Sequence, residues 1–273
     1  MTTCRLPVVF ALVLTIFGGC ATRGGEGADI AGDNARSVGS VLPSSQEESI
    51  DRQRARIRLE LAGNYYQKGN YSVALEELRQ SLLADPNYAA AYGLLGLVYM
   101  DLGENQKAGD SFVRGLKLAP TDSDLNNSYG WFLCQNKQER AAIAYFDRAA
   151  KNPLYSTPGK PLHNAGICLR KVGDVKAAEA YLLQAFRVDA GSPIAMFNLA
   201  EIYLQANNAE KALFYTERLL GTYEANAQML WLSIRVERLR GNRDAELSLG
   251  SRLRRLFPAS PEASLLEQGK FND

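Results

Sequence analysis

The sequence is poor in the side chains on which most enzymes and metal sites depend. It has one histidine and four cysteines in 273 residues, which leaves few ligands for a metal ion and few histidine-based catalytic arrangements. Lysine and arginine total 31 against 30 for aspartate and glutamate, so no overall positive charge favours nucleic acid. Gly-rich phosphate loops and the Cys-x-x-Cys and Gly-x-Ser-x-Gly motifs are also missing. These absences predict a protein that is not an enzyme and that has no metal, cofactor, small-molecule substrate or nucleic-acid partner.

Long apolar runs are missing as well, apart from one near the N-terminus. Leu6 to Phe17 is an apolar run of twelve residues, which is too short to span a bilayer but typical of a secretory signal. Gly18, Gly19 and Cys20 follow it, and this ending resembles a bacterial lipobox. The resemblance implies a lipoprotein signal peptide in residues 1–19 and lipidation of Cys20, which would hold the chain stably on a membrane. The alternative is an ordinary cleaved signal peptide, in which Cys20 has no role in lipidation.

The segment after the cysteine has the composition of a tether. Residues 20–51 begin with the lipidated Cys20 and continue rich in Gly, Ser, Asp and Glu without a hydrophobic period, as flexible linkers do. Ala21, and not aspartate, follows Cys20. By resemblance to lipoprotein sorting, this implies the outer membrane of a Gram-negative bacterium, with the protein lipid-anchored on the periplasmic face.

The rest of the chain repeats with a period close to 34 residues, and units start near residues 55, 89, 123, 159, 193 and 227. Small residues recur at the eighth position in five of six units: Ala62, Gly96, Gly130, Gly166 and Ala200. Alanine recurs at the twentieth position in five of six: Ala74, Ala108, Ala142, Ala178 and Ala212. Large residues occupy the twenty-fourth position in four units: Leu78, Phe112, Phe146 and Leu182. Small residues let paired helices approach closely, and the large ones fill the space beside them.

This pattern resembles the tetratricopeptide repeat in both period and register. It implies an all-α, right-handed superhelical solenoid of six tetratricopeptide helix pairs, which we place in residues 52–260. The last unit departs from the pattern at Ile234 and Glu246, as terminal repeats often do. Ser260-Pro261-Glu262 has the features of a helix start, so residues 261–273 are predicted to form a short capping helix and tail.

Two features interrupt the array. Residues 152–161 hold three of the ten prolines and are predicted to be an extended connection, either a functional loop or a tolerated insertion. Cys134 and Cys168 lie on neighbouring first helices of the predicted array. In an oxidising periplasm such a pair favours a disulfide; two buried cysteines that never meet are the alternative.

The residues around these cysteines resemble one family more than tetratricopeptide arrays in general. Asp124-Leu-Asn-Asn-Ser-Tyr-Gly-Trp-Phe-Leu-Cys134, Asn152-Pro-Leu-Tyr155 and Asn164-Ala-Gly-Ile-Cys-Leu-Arg-Lys-Val-Gly-Asp174 are similar to the type IV pilus biogenesis and stability lipoproteins called PilF or PilW. The resemblance implies a non-enzymatic outer-membrane scaffold whose partner is the pilus secretin, and which promotes the localisation, multimerisation or stability of that secretin.

The first helices of such an array line its concave face, and their second, fifth, ninth and twelfth positions point into it. This predicts a partner-binding groove formed by Leu59, Tyr66, Leu97, Met100, Trp131, Ile167, Phe197 and Leu204. Trp131 and Phe197 are the expected anchors, because aromatic residues dominate interface hot spots. The alternative for any of these residues is packing against neighbouring repeats. His163 is interpreted as a polar groove residue without a catalytic partner.

Charge is uneven along the array. Repeat six carries seven arginines from Arg235 to Arg255, interpreted as a solvated helix face or, alternatively, as a surface for an acidic partner or lipid headgroups. Two other functions stay open at this point: a repeat lipoprotein of outer-membrane protein assembly, and a periplasmic adaptor that recruits peptidoglycan hydrolases.

Overall fold

The structure is a computed structural model that describes residues 48–271. The predicted signal peptide, the lipidation at Cys20 and most of the predicted tether lie outside these residues. The described part folds into α-helices without a β-strand, as predicted, and none of its helices has the length and apolar character needed to cross a membrane. The helices are α1 (Ile50–Gln67), α2 (Tyr71–Ala84), α3 (Ala89–Asp101), α4 (Asn105–Leu118), α5 (Ser123–Gln135), α6 (Glu139–Ala150), α7 (Gly159–Lys171), α8 (Val175–Val188), α9 (Pro193–Gln205), α10 (Ala209–Thr222), α11 (Ala227–Arg240), α12 (Arg243–Leu256) and α13 (Pro261–Gln268).

The helices form six pairs that stack in chain order. Each first helix packs on its own second helix, so α1 pairs with α2 and α11 with α12. First helices also contact one another from α1 through to α13, whereas second helices contact the following first helix and not one another. The first helices are therefore closer together than the second helices, which bends the stack with the first helices on its inner side. We call this inner surface, formed by α1, α3, α5, α7, α9 and α11, the groove face.

Packing within a pair depends on the small residue at the eighth position. A Cβ atom added to Gly96 would lie 2.7 Å from the Phe112 ring, and one added to Gly130 would lie 2.8 Å from Phe146. In repeat four, a Cβ on Gly166 would lie 2.5 Å from Leu182 Cγ. Atoms cannot approach so closely without displacement. The eighth and twenty-fourth positions thus face each other, as the sequence pattern indicates.

Repeat six reverses this arrangement. Ile234, fully buried, occupies the eighth position, and Gly250, also buried, occupies the twenty-fourth. The nearest atom to a Cβ on Gly250 would be Leu266 Cδ2 of α13, at 3.3 Å. The first helix therefore carries the large residue in this repeat, and the glycine on the second helix lets α13 approach.

Every repeat turns from its first to its second helix through one left-handed residue. Gly241, for example, has φ 73° and ends α11 as its C-cap. Repeats three and five use Lys137 at φ 61° and Asn207 at φ 55° in the corresponding place. Left-handed backbone is costly for residues other than glycine, so the sequence signal for a turn is weaker in these two repeats although the turn is the same.

The connection between repeats three and four is shorter than predicted. Helix α7 begins at Gly159, so Pro161 lies in its first turn and not in an extended loop. Proline is tolerated there because amide groups in the first helical turn have no intrahelical acceptor. The remaining connection is anchored to α5, since the Tyr155 hydroxyl donates to Asp124 Oδ1 at 2.8 Å. Leu154 beside it is 91% exposed.

Helix α13 behaves as the first helix of an incomplete seventh unit. It begins at Pro261, one repeat length after the start of α11, and Ser260 caps it by accepting from the Ala263 amide at 3.1 Å. Ala263 is buried in a cluster with Trp231 and Leu253. The helix thus covers the apolar end of repeat six, as predicted from the sequence.

Candidate protein-binding groove

The eight predicted groove residues share one environment. Leu59, Tyr66, Leu97, Met100, Trp131, Ile167, Phe197 and Leu204 are all half-buried. Seven of them also pack against buried core clusters, Ile167 being the exception. Packing against neighbouring residues therefore applies to seven of the eight side chains. Their incomplete burial leaves part of each surface accessible, and partner binding by these residues stays a prediction.

Two of these side chains already have polar neighbours on the groove face. The Tyr66 hydroxyl donates to Asp101 Oδ2 at 2.8 Å, and burial, together with this hydrogen bond, raises the pKa of Tyr66. The Lys171 ammonium lies 5.5 Å from the centre of the Trp131 ring and donates to Gln135 Oε1 at 2.8 Å. A partner that contacts Trp131 must share its ring with this lysine or displace the lysine.

Phe197, the other expected anchor, lines a cavity of about 290 Å³. Trp231 and Leu265 line the same cavity, and all three occupy the fifth position of successive first helices, α9, α11 and α13. They form a continuous apolar row at the C-terminal end of the groove. Trp231 and Leu265 lie outside the predicted groove set, although the register that places Phe197 in the groove applies to them as well.

Leu204 lines a second cavity next to the first, of about 370 Å³. Arg235 lines both cavities. Phe271, from the segment after α13, also lines the second one; its ring stacks on Trp231 with centroids 5.3 Å apart, and the Arg238 guanidinium lies 4.0 Å from its centre. This end of the groove therefore combines apolar surface with cationic side chains.

Another apolar cavity, of about 480 Å³, lies between α2 and α3. Leu75, Leu82 and Leu83 contribute from α2, and Leu95 and Tyr99 from α3. None of these residues is in the predicted groove set, because the prediction considered only the inward positions of the first helices.

Cys134 and Cys168 form a close pair on the groove side of the array. Their Cα atoms are 5.9 Å apart, within the range that disulfides span. Both residues are almost fully buried, in one cluster with Phe132 and Phe146. The neighbouring helices α5 and α7 thus bring the two cysteines together, which excludes the alternative in which they never meet.

Polar side chains connect α7 to the first helices on either side of it. Asn164 on α7 donates to Asn127 Oδ1 on α5 at 3.0 Å, and Arg170 at the end of α7 makes an ion pair with Glu201 on α9. Hydrogen bonds that are shielded from water fix the register of packed helices. The central repeats are therefore held by specific polar contacts in addition to apolar packing.

His163 lies at the fifth position of α7, half-buried on the groove face. Burial, and to a smaller extent the Lys160 charge, lowers the pKa of His163 to about 4, with Asp189 acting in the opposite direction. The imidazole is therefore neutral at physiological pH. Within residues 48–271 no group of three His, Cys, Asp or Glu side chains could hold a metal ion.

The arginines of repeat six divide into two groups. Arg238 and Arg243 pair with the nearly buried Glu246 at 2.9 and 3.3 Å, and Arg240 pairs with Glu237 at 2.8 Å. These three are structural partners of carboxylates that replace apolar signature residues. Arg235, Arg252, Arg254 and Arg255 make no ion pair with a described residue.

The stacked helix pairs and their inner groove define a tetratricopeptide-repeat solenoid, a fold that serves protein interaction. The tetratricopeptide-repeat family model matches residues 59–123 and 164–227. The segment between the two matched stretches contains Cys134 and the proline-rich connection, whereas Cys168 lies in the second matched stretch.

Comparison with individual proteins indicates one particular family within this fold. The chain is 26% identical over 261 residues to the type IV pilus assembly protein PilF of Pseudomonas aeruginosa, covering 95% of this chain and 96% of PilF. The structure also resembles the crystal structure of PilW, a widely conserved type IV pilus biogenesis factor, with a TM-score of 0.72. The two sequences are 30% identical, and the match covers 78% of this chain and 98% of the PilW chain. The Pseudomonas aeruginosa PilF structure gives a TM-score of 0.72 at 24% identity and covers 81% of this chain. The chain belongs to the PilF and PilW family of tetratricopeptide-repeat proteins. This homology supports a scaffold role in type IV pilus biogenesis.

Proposed function

We propose that this protein is a lipid-anchored outer-membrane scaffold that binds the type IV pilus secretin and promotes its localisation, multimerisation or stability. The observation that carries the proposal is the extent of the match to PilF, which covers 96% of that protein and is not confined to the repeats that unrelated arrays share. The lipobox-like sequence ending at Cys20 supports the membrane anchor.

The groove face supplies the binding surface in this proposal. A partner segment that lies along the first helices contacts side chains that are already half-buried, so little further ordering of long side chains is needed and the entropic cost of binding is small. Phe197 is the stronger of the two expected anchors, because its ring lines a cavity, whereas Lys171 lies over the Trp131 ring. The role needs no catalytic group, and we propose that the protein is not an enzyme.

The lipid anchor and the groove act together. An anchor at Cys20 confines the repeats to the layer next to the outer membrane, which raises the effective concentration of the groove near an integral membrane partner. Acyl chains on one cysteine give stable attachment only when two or more are present, as lipobox processing provides. We therefore expect Cys20→Ser to release the protein from the membrane fraction and to lower the amount of secretin multimer.

We further propose that Cys134 and Cys168 form a disulfide in the periplasm. Their Cα separation of 5.9 Å needs no backbone movement for the bond to form. The bond would link α5 to α7 directly beneath the groove residues Trp131 and Ile167, and so hold the middle of the binding surface in one shape.

Secretin assembly in cells tests the proposed function. In a strain that lacks this gene, heat-resistant secretin multimers seen by gel electrophoresis should fall strongly, and the native gene should restore them. Restoration by Trp131→Ala combined with Phe197→Ala should be weaker, because the groove loses both anchors. Phe214→Ala is the matched control: Phe214 is an exposed phenylalanine on α10, away from the groove face, and this variant should restore multimers fully.

Two results would overturn the proposal. Unchanged multimers and normally displayed pili in the deletion strain would reject the secretin as the partner. Full restoration by the groove double variant, with its helicity and expression equal to those of the native protein, would leave the secretin role standing and reject the groove as its binding surface.

A further inference from the structure

Arg235 is a half-buried arginine without an ion-pair partner among the described residues. It is half-buried on the groove face of α11, yet it makes no ion pair or side-chain hydrogen bond with a described residue. Three other arginines are half-buried. Arg52 pairs with Asp85 at 2.5 Å and Arg170 with Glu201, whereas Arg252, on the second helix α12, is like Arg235 in making no ion pair with a described residue. A partly desolvated guanidinium with unused donors is unfavourable unless an acceptor reaches it.

One of the two cavities that Arg235 lines, the one it shares with Leu204, has no carboxylate among its described lining residues. Its charged residues are Arg235 and Arg238, and its apolar walls are Leu204, Leu239 and Phe271. Arg238 has a partner in Glu246, whereas Arg235 has no ion-pair partner among residues 48–271. On α11, which lies on the groove face, three arginines (Arg235, Arg238 and Arg240) accompany one acidic residue, Glu237. Positive charge is therefore in excess on this groove helix.

The adjoining cavity has a different character. Its centre is the apolar row of Phe197, Trp231 and Leu265, and its carboxylates are Glu201 and Glu262. A second acidic side chain would be repelled there, whereas an apolar or aromatic side chain would fit. Arg235 lies between the two cavities and lines both.

We propose that these two cavities bind an extended acidic segment of a protein partner, in which an Asp or Glu side chain is next to an aromatic or large apolar one. The carboxylate accepts hydrogen bonds from Arg235, with Arg238 adding favourable charge, and the apolar side chain enters the cavity of Phe197 and Trp231. The inference deepens the proposed function and rests on it for the partner, since it names the chemistry of the segment that the groove holds.

Protein is favoured over other anionic ligands by the shape of the site. Cavities of about 370 and 290 Å³ on the inner side of a curved stack accept individual side chains, whereas a bilayer surface needs an outward-facing cationic patch. Nucleic acid needs phosphate contacts along an extended cationic track, and Glu201 and Glu262 interrupt any such track.

A peptide of repeated Asp-Phe-Gly units, labelled with fluorescein, tests the site on the detergent-solubilised full-length protein. Fluorescence anisotropy should show saturable binding, and the analogue with Asn in place of Asp should bind about tenfold or more weakly, because a charge-assisted hydrogen bond is lost. Arg235→Gln should weaken the Asp peptide by a similar factor and leave the Asn peptide nearly unchanged. That selective loss is the signature of a direct carboxylate contact.

Arg255→Gln is the matched control, since Arg255 is an exposed arginine of the outer helix α12 and its loss changes the net charge equally. It should alter binding by less than about twofold, as expected for a screened distant charge. Equal weakening by the two variants, equal binding of the Asp and Asn peptides, or no binding up to about 1 mM peptide would each overturn the proposal. So would a preference of the protein for phosphatidylglycerol vesicles that Arg235→Gln abolishes while peptide binding stays unchanged.

Two further results distinguish a failure of this binding site from a failure of the proposed function. Restoration of secretin multimers by Arg235→Gln to the native level would reject this site as part of secretin recognition while the proposed function stands. Selective peptide binding at Arg235 in a protein whose deletion leaves secretin multimers unchanged would retain the acidic-segment site and reject the secretin as its partner.

Discussion

Repeat four and repeat six pack their two helices by opposite distributions of side-chain size. In repeat four the glycine is on the first helix and the large residue, Leu182, is on the second. In repeat six the large residue, Ile234, is on the first helix and the glycine, Gly250, is on the second. Closely packed helices need a small residue where a large one approaches. In repeat four Gly166 faces Leu182 of its own pair, whereas in repeat six Gly250 faces Leu266 of α13. The small residue therefore serves the contact within the pair in repeat four and the contact with the next helix in repeat six.

The two repeats also use charge differently. Arg170 of repeat four reaches forward to Glu201 in the following repeat, so its ion pair joins two units. In repeat six, Arg238 and Arg243 pair with Glu246 of the same unit. A terminal repeat has only α13 after it, and its ion pairs are mainly internal. Arg240, which also approaches Glu210 at 3.6 Å, reaches back to repeat five.

The largest expected effect tests the reversed packing of repeat six. Alanine or glycine occupies the eighth position in the other five repeats, so Ile234→Ala restores the usual residue. We expect it to destabilise the protein by about 2–5 kcal/mol, because Ile234 is fully buried and its loss leaves a cavity. Urea unfolding followed by circular dichroism measures the change.

Leu247→Ala on α12 is the control for Ile234→Ala. Leu247 is 54% exposed, so its truncation should change the free energy of unfolding by no more than about 0.5 kcal/mol. A loss below about 1 kcal/mol for Ile234→Ala would mean that the usual small residue is tolerated at this position and that the reversal is not needed for packing.

The cysteine pair belongs to the central repeats alone, which gives the second prediction. Replacing both Cys134 and Cys168 with Ala should lower the free energy of unfolding by up to about 4 kcal/mol, since the bond would close a loop of 34 residues in the unfolded chain. Hydrogen exchange should speed up in α5 and α7 and change little in α11 and α12. Mass spectrometry without reductant checks the premise: a mass that does not rise when reductant is added would show that no disulfide forms.

Adding one methyl group to each glycine compares the two repeats directly. In Gly166→Ala the new Cβ would lie 2.5 Å from Leu182 Cγ and 3.2 Å from the Ala178 carbonyl oxygen, which should cost about 1–3 kcal/mol. In Gly250→Ala the nearest atom is the end of the flexible Leu266 side chain at 3.3 Å. Alanine also gains about 1 kcal/mol in helix propensity over glycine. Thermal unfolding should therefore show a lower midpoint for Gly166→Ala and a nearly unchanged one for Gly250→Ala; equal midpoints would contradict the comparison.

The sequence predicts the periodic part of this molecule better than the parts where the period fails. The six helix pairs and the proximity of Cys134 to Cys168 follow from the register of the repeats, and α13 follows from the helix-start residues Ser260-Pro261-Glu262. The repeat frame gives the start of α7 near residue 159 correctly. The predicted extended connection, residues 152–161, was wrong at its C-terminal end, because proline in the first turn of a helix gives the same sequence signal as proline in a loop. The cavity between Arg235 and Leu204 was not predicted, since it depends on Phe271 packing on Trp231, a contact that no periodic pattern encodes.

The last comparison concerns the fifth position of the first helix, which is His163 in repeat four and Trp231 in repeat six. Because burial lowers the pKa of His163 to about 4 from an ordinary value of 6.5, the unfolded chain binds the proton more readily than the folded one between these pH values. Stability therefore falls as pH drops from 6.5 towards 4. Allowing for solvent screening of a half-buried group, we expect a loss of about 1 kcal/mol at pH 5 relative to pH 7.

His163→Gln isolates this effect from the titration of carboxylates, which both proteins share. The native protein should lose more stability between pH 7 and pH 5 than the variant does, by about 1 kcal/mol in urea unfolding. Hydrogen exchange should place the difference in α7, with α11 unaffected, because Trp231 at the same position does not titrate. An equal pH dependence for the two proteins would mean that the imidazole is hydrated in the folded state and that the groove face at repeat four is more open to water than at repeat six.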